Sequence, residues 1–170
     1  DRAAFVMASS GESISYAEFE ARANRLTHLL QNEGLSRQDH YSIMMENNNR
    51  YPEACAAGER AGLYYTCINS YLTADELAYI LDNSESQILI TSMSKLEVVI
   101  DAVAQSSKVR KVLVVDADVN KLPDGFEDYA TACQSFPATP IYNERLGTSM
   151  LYSSGTTGRP KGIILSLIHI

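Results

Sequence analysis

Between Ser15 and Gly34 the apolar residues Phe19, Ala23, Leu26 and Leu30 stand three and four positions apart, the spacing that gathers side chains on one helical face. The stretch opens with Ser15-Tyr16-Ala17-Glu18, a capping box. In such a box the serine oxygen accepts from the amide three residues on, and the glutamate reaches back to the serine amide. The same device recurs at Thr73-Ala74-Asp75-Glu76 and at Ser94-Lys95-Leu96-Glu97. Each box has an apolar pair placed to staple the helix start: Ile14 with Phe19, Leu72 with Leu77, Met93 with Val98. These boxes predict three helix starts, and Gly34 is placed to terminate the first helix. A further helix is predicted from Tyr51 to Ala61, with Pro52 in its first turn, where the missing N–H is not needed, and Gly62 past its end.

Short β-prone runs lie between the helices: Tyr41 to Met45, Tyr64 to Ile68, Gln87 to Thr91 and Lys111 to Val115. Strands separated by helices of roughly 10 to 15 residues predict βαβ units, hence an α/β fold with a mostly parallel sheet. At the start, Phe5 to Ala8 and Ser13-Ile14, joined through Ser9-Ser10-Gly11-Glu12, predict a small hairpin. From Ala117 to Leu146 the pattern loosens around Pro123, Gly125, Pro137 and Pro140, which predicts mostly connection with a short helix near Glu127 to Cys133. No internal repeat goes beyond this alternation, and no linker marks a domain boundary.

Composition narrows the function. The 170 residues, 45% hydrophobic and 21% charged, suit one ordinary domain burying about 70% of the surface its unfolded chain exposes, not a disordered chain. A formal net charge of −7 argues against a nucleic-acid-binding domain, which needs clustered cations. No apolar run approaches the roughly 20 residues of a membrane-spanning helix, and Asp1-Arg2-Ala3-Ala4-Phe5 does not read as a signal peptide. The cysteines Cys55, Cys67 and Cys133 are odd in number and form no Cys-x-x-Cys pair. They suit a core role in a reducing, cytoplasmic setting better than a disulfide or metal framework. Asp1 is not a start methionine and the chain stops soon after its most chemical segment, so a piece of a longer protein is expected.

That segment is Leu151-Tyr152-Ser153-Ser154-Gly155-Thr156-Thr157-Gly158-Arg159-Pro160-Lys161-Gly162. Glycines let the backbone take positive φ and approach a ligand closely, and amides and hydroxyls in such a turn converge on an anion. Lys161 adds a full charge, and from Arg145 onward there are cations but no carboxylate, against an acidic whole. Composition leaves two readings open: a phosphate loop, or a plain Ser/Gly/Thr turn between two strands. A Walker A pattern cannot be fitted here.

The run Ser153 to Gly162 resembles, nearly residue for residue, the signature loop of the adenylate-forming superfamily: acyl-CoA synthetases, peptide-synthetase adenylation domains and firefly luciferase. Ile14 to Leu26 is similar to the family's first helix block. Gly62 to Asn69 with Leu77 to Leu81 is similar to its second, in the family's order. Where peptide-synthetase domains carry Tyr-Val-Pro-hydrophobic-Asp-Pro, this chain has Tyr65-Thr66-Cys67-Ile68-Asn69-Ser70, which looks more like the fatty-acyl-CoA synthetase branch. The resemblance implies that residues 1–165 are part of an N-terminal adenylation domain ending just after the phosphate loop, and that 166–170, which fit the family pattern poorly, are a non-native tail. It implies activation of a small-molecule carboxylic acid, a fatty acid on this reading, by ATP with Mg2+ to an acyl-adenylate, followed by displacement of AMP by coenzyme A. Ser153, Ser154, Gly155, Thr156, Thr157, Gly158 and Lys161 are implied as phosphate-loop positions; Arg159 is left as a surface cation. The catalytic residues and the adenine and metal contacts are expected in the missing remainder of the chain. Two alternatives stand beside this: an adenylation domain of a carrier-protein system, and a truncated, non-catalytic product.

Other chemistry-bearing residues read as structural. His28 falls in the first helix and His40 precedes a strand. Tyr64, Tyr65, Tyr71 and Tyr79 lack the basic groove of a base-stacking platform. Asn47-Asn48-Asn49 reads as a loop capping the Tyr51 helix.

Overall fold

In the computed structural model, which describes residues 2–153 and 159–164, strands and helices alternate along the chain. They are β1 (Ala3–Val6), β2 (Ser13–Ser15), α1 (Tyr16–Asn32), β3 (His40–Met44), α2 (Tyr51–Ala61), β4 (Tyr64–Cys67) and α3 (Ala74–Asn83). There follow β5 (Ser86–Ser92), α4 (Leu96–Gln105), β6 (Lys111–Val115), β7 (Phe126–Asp128), α5 (Tyr129–Gln134), β8 (Thr148–Ser153) and β9 (Lys161–Ile164). The expected amino-terminal hairpin is β1 paired antiparallel with β2. The other strands form one seven-stranded sheet in the order β7-β6-β5-β3-β4-β8-β9, parallel throughout except for β9.

Period-two alternation explains how the parallel strands are covered on both faces. Tyr41, Ile43, Ile88, Ile90, Leu113 and Val115 point to one face, against Leu26 and Leu30 of α1, Ala54 and Ala57 of α2 and Tyr129 and Cys133 of α5. Met44, Leu89, Val112 and Val114 point to the other, against Leu77, Ile80 and Leu81 of α3 and Leu96, Val99 and Ala102 of α4. The expected α/β class and mostly parallel sheet are what forms.

The helix boundaries follow from local chemistry. Ser15 and Thr73 make complete capping boxes with Glu18 and Glu76. Helix α2 spans the predicted residues and ends at Gly62, whose φ of 72° is costly for any residue with a Cβ. The third capping box does not form. Met93–Lys95 is a turn of 3-10 helix, and the Ser94 hydroxyl donates to Glu46 Oε2 at 2.6 Å rather than capping α4. Helix α5 begins later than expected, capped by Asp128, which accepts from the Thr131 amide at 2.8 Å. The residues before it form β7, an edge strand the sequence pattern did not predict.

Two close approaches fix the sheet against α2. The buried Tyr41 hydroxyl donates to the Ala54 carbonyl, and a Cβ at Gly58 would lie 2.5 Å from the Tyr41 oxygen. Gly147, just before β8, is tighter still: a Cβ there would stand 2.1 Å from the Gly58 carbonyl oxygen and 2.5 Å from that of Leu63. Arg60 clamps α2 to α1 through two hydrogen bonds of 2.6 Å to Glu20. Behind α2 the carboxylate of Glu53 is 1% exposed and accepts from the Tyr129 hydroxyl at 2.9 Å, with Arg50 3.4 Å away. Among the described residues no helix is long and apolar enough to cross a membrane.

Candidate functional site

Apolar Met150 and Ile164 face each other across β8 and β9, and the antiparallel register then sets Ser153 opposite Lys161. Of the positions read as a phosphate loop, Ser153 therefore closes one strand of a hairpin and Lys161 opens the other. Ser154, Gly155, Thr156, Thr157 and Gly158 lie outside the described residues. Ser153 and Lys161 are both exposed, and no carboxylate among the described residues comes within salt-bridge distance of Lys161.

The hairpin is held from the side by α3. Tyr152 donates from its hydroxyl to Asn83 Oδ1 at 2.8 Å, and Tyr79 donates to the Pro160 carbonyl at 3.1 Å. Burial pushes the Tyr152 hydroxyl up to about 12, so it remains a protonated donor near neutrality. Arg159 is exposed, as expected of a surface cation, but it has a seat: its guanidinium lies 5.1 Å from the Tyr79 ring centroid. The tyrosine that reads from sequence as packing therefore also anchors the chain just after the loop.

Strand β8 runs parallel to β4, so the chain leaves it in the direction of the carboxyl ends of the parallel strands. Ligands of open α/β sheets bind outside those ends, at the point where the strand order reverses. Here the reversal lies at β3 and β5, since the chain goes from β3 outward to β4 and then crosses to β5 on the other side. Glu46 stands there, two residues past β3, accepting from Ser92 at 2.5 Å and from Ser94 at 2.6 Å. Burial alone would raise its carboxyl pKa, but the two hydroxyls and the nearby Lys95 outweigh it and hold the carboxyl below its ordinary value. Beside Glu46 opens a crevice of about 460 Å³, lined by Asn47, Tyr51, Cys67, Asn69 and Tyr71 among others. The Lys95 ammonium lies 5.2 Å from the Tyr71 ring centroid at the same edge.

In the crevice wall Cys67 is exposed and its sulfur lies 3.8 Å from that of Cys55 in α2. The contact between the two thiols outweighs burial and holds Cys67 below its ordinary value, while Cys55 is pushed up. The expected core role thus holds for buried Cys133 and not for Cys67. Sequence spacing conceals this pair. The place to look is the carboxyl end of β4 and the helix preceding it, where a parallel sheet builds its sites.

The histidines take structural places. His28 Nε2 lies 2.9 Å from the Thr139 carbonyl oxygen, and the His40 ring stacks on Tyr64 at 4.9 Å. Asn48 Oδ1 accepts from the Arg50 amide at 2.8 Å, steering the chain into α2 from the turn before it. Among the described residues no group of three or more His, Cys, Asp or Glu is placed to hold a metal ion.

Comparison with known proteins bears on the family and the fold. Residues 1–168 match the family described as AMP-binding enzyme. The chain is 32% identical over 162 residues to 3-oxocholest-4-en-26-oate--CoA ligase of Rhodococcus rhodochrous, covering 93% of this chain and 29% of that protein. It is 32% identical over 153 residues to long-chain-fatty-acid--CoA ligase of Thermus thermophilus, covering 89% of this chain and 28% of the relative. To 3-methylmercaptopropionyl-CoA ligase of Ruegeria pomeroyi it is 30% identical over 162 residues, covering 91% and 30%. The crystal structure of the anthranilate CoA ligase AuaEII in complex with anthranoyl-AMP superposes with a TM-score of 0.84 at 20% identity, over 96% of this chain and 31% of that one, a likeness of fold. The chain thus spans under a third of the length of these relatives.

Proposed function

The chain belongs to the AMP-binding enzyme family, and on that premise we propose that the full-length protein is an ATP-dependent acid–thiol ligase. A carboxylate oxygen of the substrate attacks the α-phosphorus of ATP and pyrophosphate leaves. The thiol of coenzyme A then attacks the acyl carbonyl and AMP leaves. One observation carries the reading: the Ser153–Lys161 pair closes a hairpin whose connecting residues are the glycine-and-hydroxyl run of the phosphate loop, and Lys161 has no carboxylate partner among the described residues.

In this reading Ser153, Ser154, Gly155, Thr156, Thr157, Gly158 and Lys161 hold the departing phosphates, and Lys161 offsets the charge that grows on them in the transition state. ATP enters as its magnesium complex, so Mg2+ arrives with the substrate. The acid is a fatty acid or another hydrophobic acid, in line with relatives named for fatty-acid, oxocholestenoate and methylmercaptopropionyl substrates.

The test is acid-dependent pyrophosphate exchange, then coenzyme A consumption, by the full-length protein offered long-chain fatty acids, a steroid side-chain acid and 3-methylmercaptopropionate. Lys161→Ala should slow exchange on the order of 10²-fold, as loss of a preorganised charge donor does. Arg159→Ala should change it little, because that guanidinium is turned onto Tyr79. Exchange without coenzyme A consumption would point to a carrier-protein adenylation domain. Exchange independent of any acid, or Lys161→Ala with wild-type kinetics, would overturn the assignment.

A further inference from the structure

We propose that Cys55 and Cys67 form a hydroperoxide-sensitive dithiol that closes into an intrachain disulfide, joining α2 to the end of β4 in the wall of the crevice. The two sulfurs lie 3.8 Å apart on separate elements, each held by the fold. Cys55 follows the fully buried Ala54 on α2, and β4 is paired on both sides, with β3 and with β8. A disulfide needs its sulfurs about 2.05 Å apart, so each must move by roughly 0.9 Å, within the reach of side-chain rotation. Cys67 is the accessible partner, and the neighbouring Cys55 thiol favours its thiolate, the form that reacts. Cys133 is an internal control: it is buried and burial pushes its thiol up to about 12.

The chemistry balances with one hydroperoxide. The Cys67 thiolate attacks a peroxide oxygen, the O–O bond breaks, and the alcohol (water, for hydrogen peroxide) leaves with a proton. Cys67 is then a sulfenic acid. The Cys55 sulfur attacks it, the S–S bond forms as the S–O bond breaks, and water leaves with the Cys55 proton. Two electrons pass from the sulfurs to the peroxide. Because Tyr51 and Cys67 both line the crevice, the bond would draw its α2 wall and its β4 wall together.

The test treats the reduced full-length protein with hydrogen peroxide, alkylates remaining thiols and digests with trypsin. Arg60 lies between the two cysteines, so cleavage separates residues 51–60 from 61–95. The expected product is the two peptides joined, two hydrogens lighter than their sum and parted again by dithiothreitol. Cys67→Ser should reduce it to background, and in Cys55→Ser a dimedone adduct should mark the stranded sulfenic acid on Cys67. The proposal is overturned if both cysteines stay alkylatable while Cys133 oxidises, or if Cys67 links only between chains. The wild-type measurement needs no variant, so a misfolded substitution leaves the test standing.

Discussion

Replacing Gly147 by alanine should loosen β8, the strand that leads to the loop we propose binds phosphates, although the change adds a single methyl group. That methyl would stand 2.1 Å from the Gly58 carbonyl oxygen, 2.5 Å from that of Leu63 and 2.8 Å from the Leu63 amide nitrogen. All three are backbone atoms, so no rotamer relieves the clash; β8 has to draw back from α2 and β4 together. Drawing back strains three hydrogen bonds: Arg145 N–H to Arg60 at 2.9 Å, Gly147 N–H to Glu59 at 2.8 Å and Thr148 N–H to Leu63 at 3.1 Å. Overpacking costs about 1–3 kcal/mol and each hydrogen bond about 1, so a local loss of about 3 kcal/mol is expected even if the bonds only weaken. Tenfold per 1.4 kcal/mol makes that about 10²-fold faster amide exchange at Gly147 and Thr148. Gly34→Ala is the control. Its φ of 85° strains alanine, but nothing lies within 4 Å of the new methyl, so it should cost about 1 kcal/mol and leave exchange at 147 and 148 unchanged. Gly147→Ala with wild-type protection at those amides would refute the reasoning about the close approach.

Other substitutions separate the remaining contacts. Tyr129→Phe should destabilise the protein by about 1–3 kcal/mol in urea unfolding, because buried Glu53 loses its donor at 2.9 Å. Burial raises the folded pKa of Glu53, so its contribution is fully present below the unfolded value of about 4.3 and is lost as pH rises through the folded pKa; Glu53→Gln should flatten that part of the stability–pH curve. Ser94→Ala should raise the Glu46 carboxyl pKa, followed by NMR titration, and cost α4 no cap, whereas Thr73→Ala should lose about 1 kcal/mol of stability through a missing cap. Tyr79→Phe in the full-length protein should raise the KM for ATP in pyrophosphate exchange while leaving thermal unfolding close to wild type, because it removes only the donor to Pro160.

How far the fold is legible in the sequence depends on whether a signal is satisfied locally. Helix α2 is readable to the residue because its punctuation, Pro52 and Gly62, acts on the chain beside it. The boxes at Ser15 and Thr73 succeed for the same reason. The box at Ser94 fails because its hydroxyl is taken by Glu46, 48 residues away, a competitor that exists only once β3 and β5 pair. Strand β7 is missed because three residues after a Pro-Asp-Gly turn carry little pattern; pairing with β6 makes it a strand. At the site, the loop composition stands out in the sequence while its setting does not. That Tyr79 and Asn83 hold the hairpin, or that Cys55 meets Cys67, follows from where helices cross strands.

This division bears on how the loop is positioned. The sheet registers β8 against β4 through only two residue pairs, Tyr64 with Thr148 and Tyr65 with Ser149. Beyond Ser149 the strand leaves the β4 ladder, and β9, exposed along its length, pairs among the described residues with β8 alone. Ser153 and Lys161 are thus carried by a hairpin that the sheet anchors at one end and α3 steadies along its flank, through Tyr152 on Asn83 and Pro160 on Tyr79. Side chains on α3, more than 60 residues away in sequence, therefore hold Tyr152 and Pro160 on either side of the segment that joins the two strands.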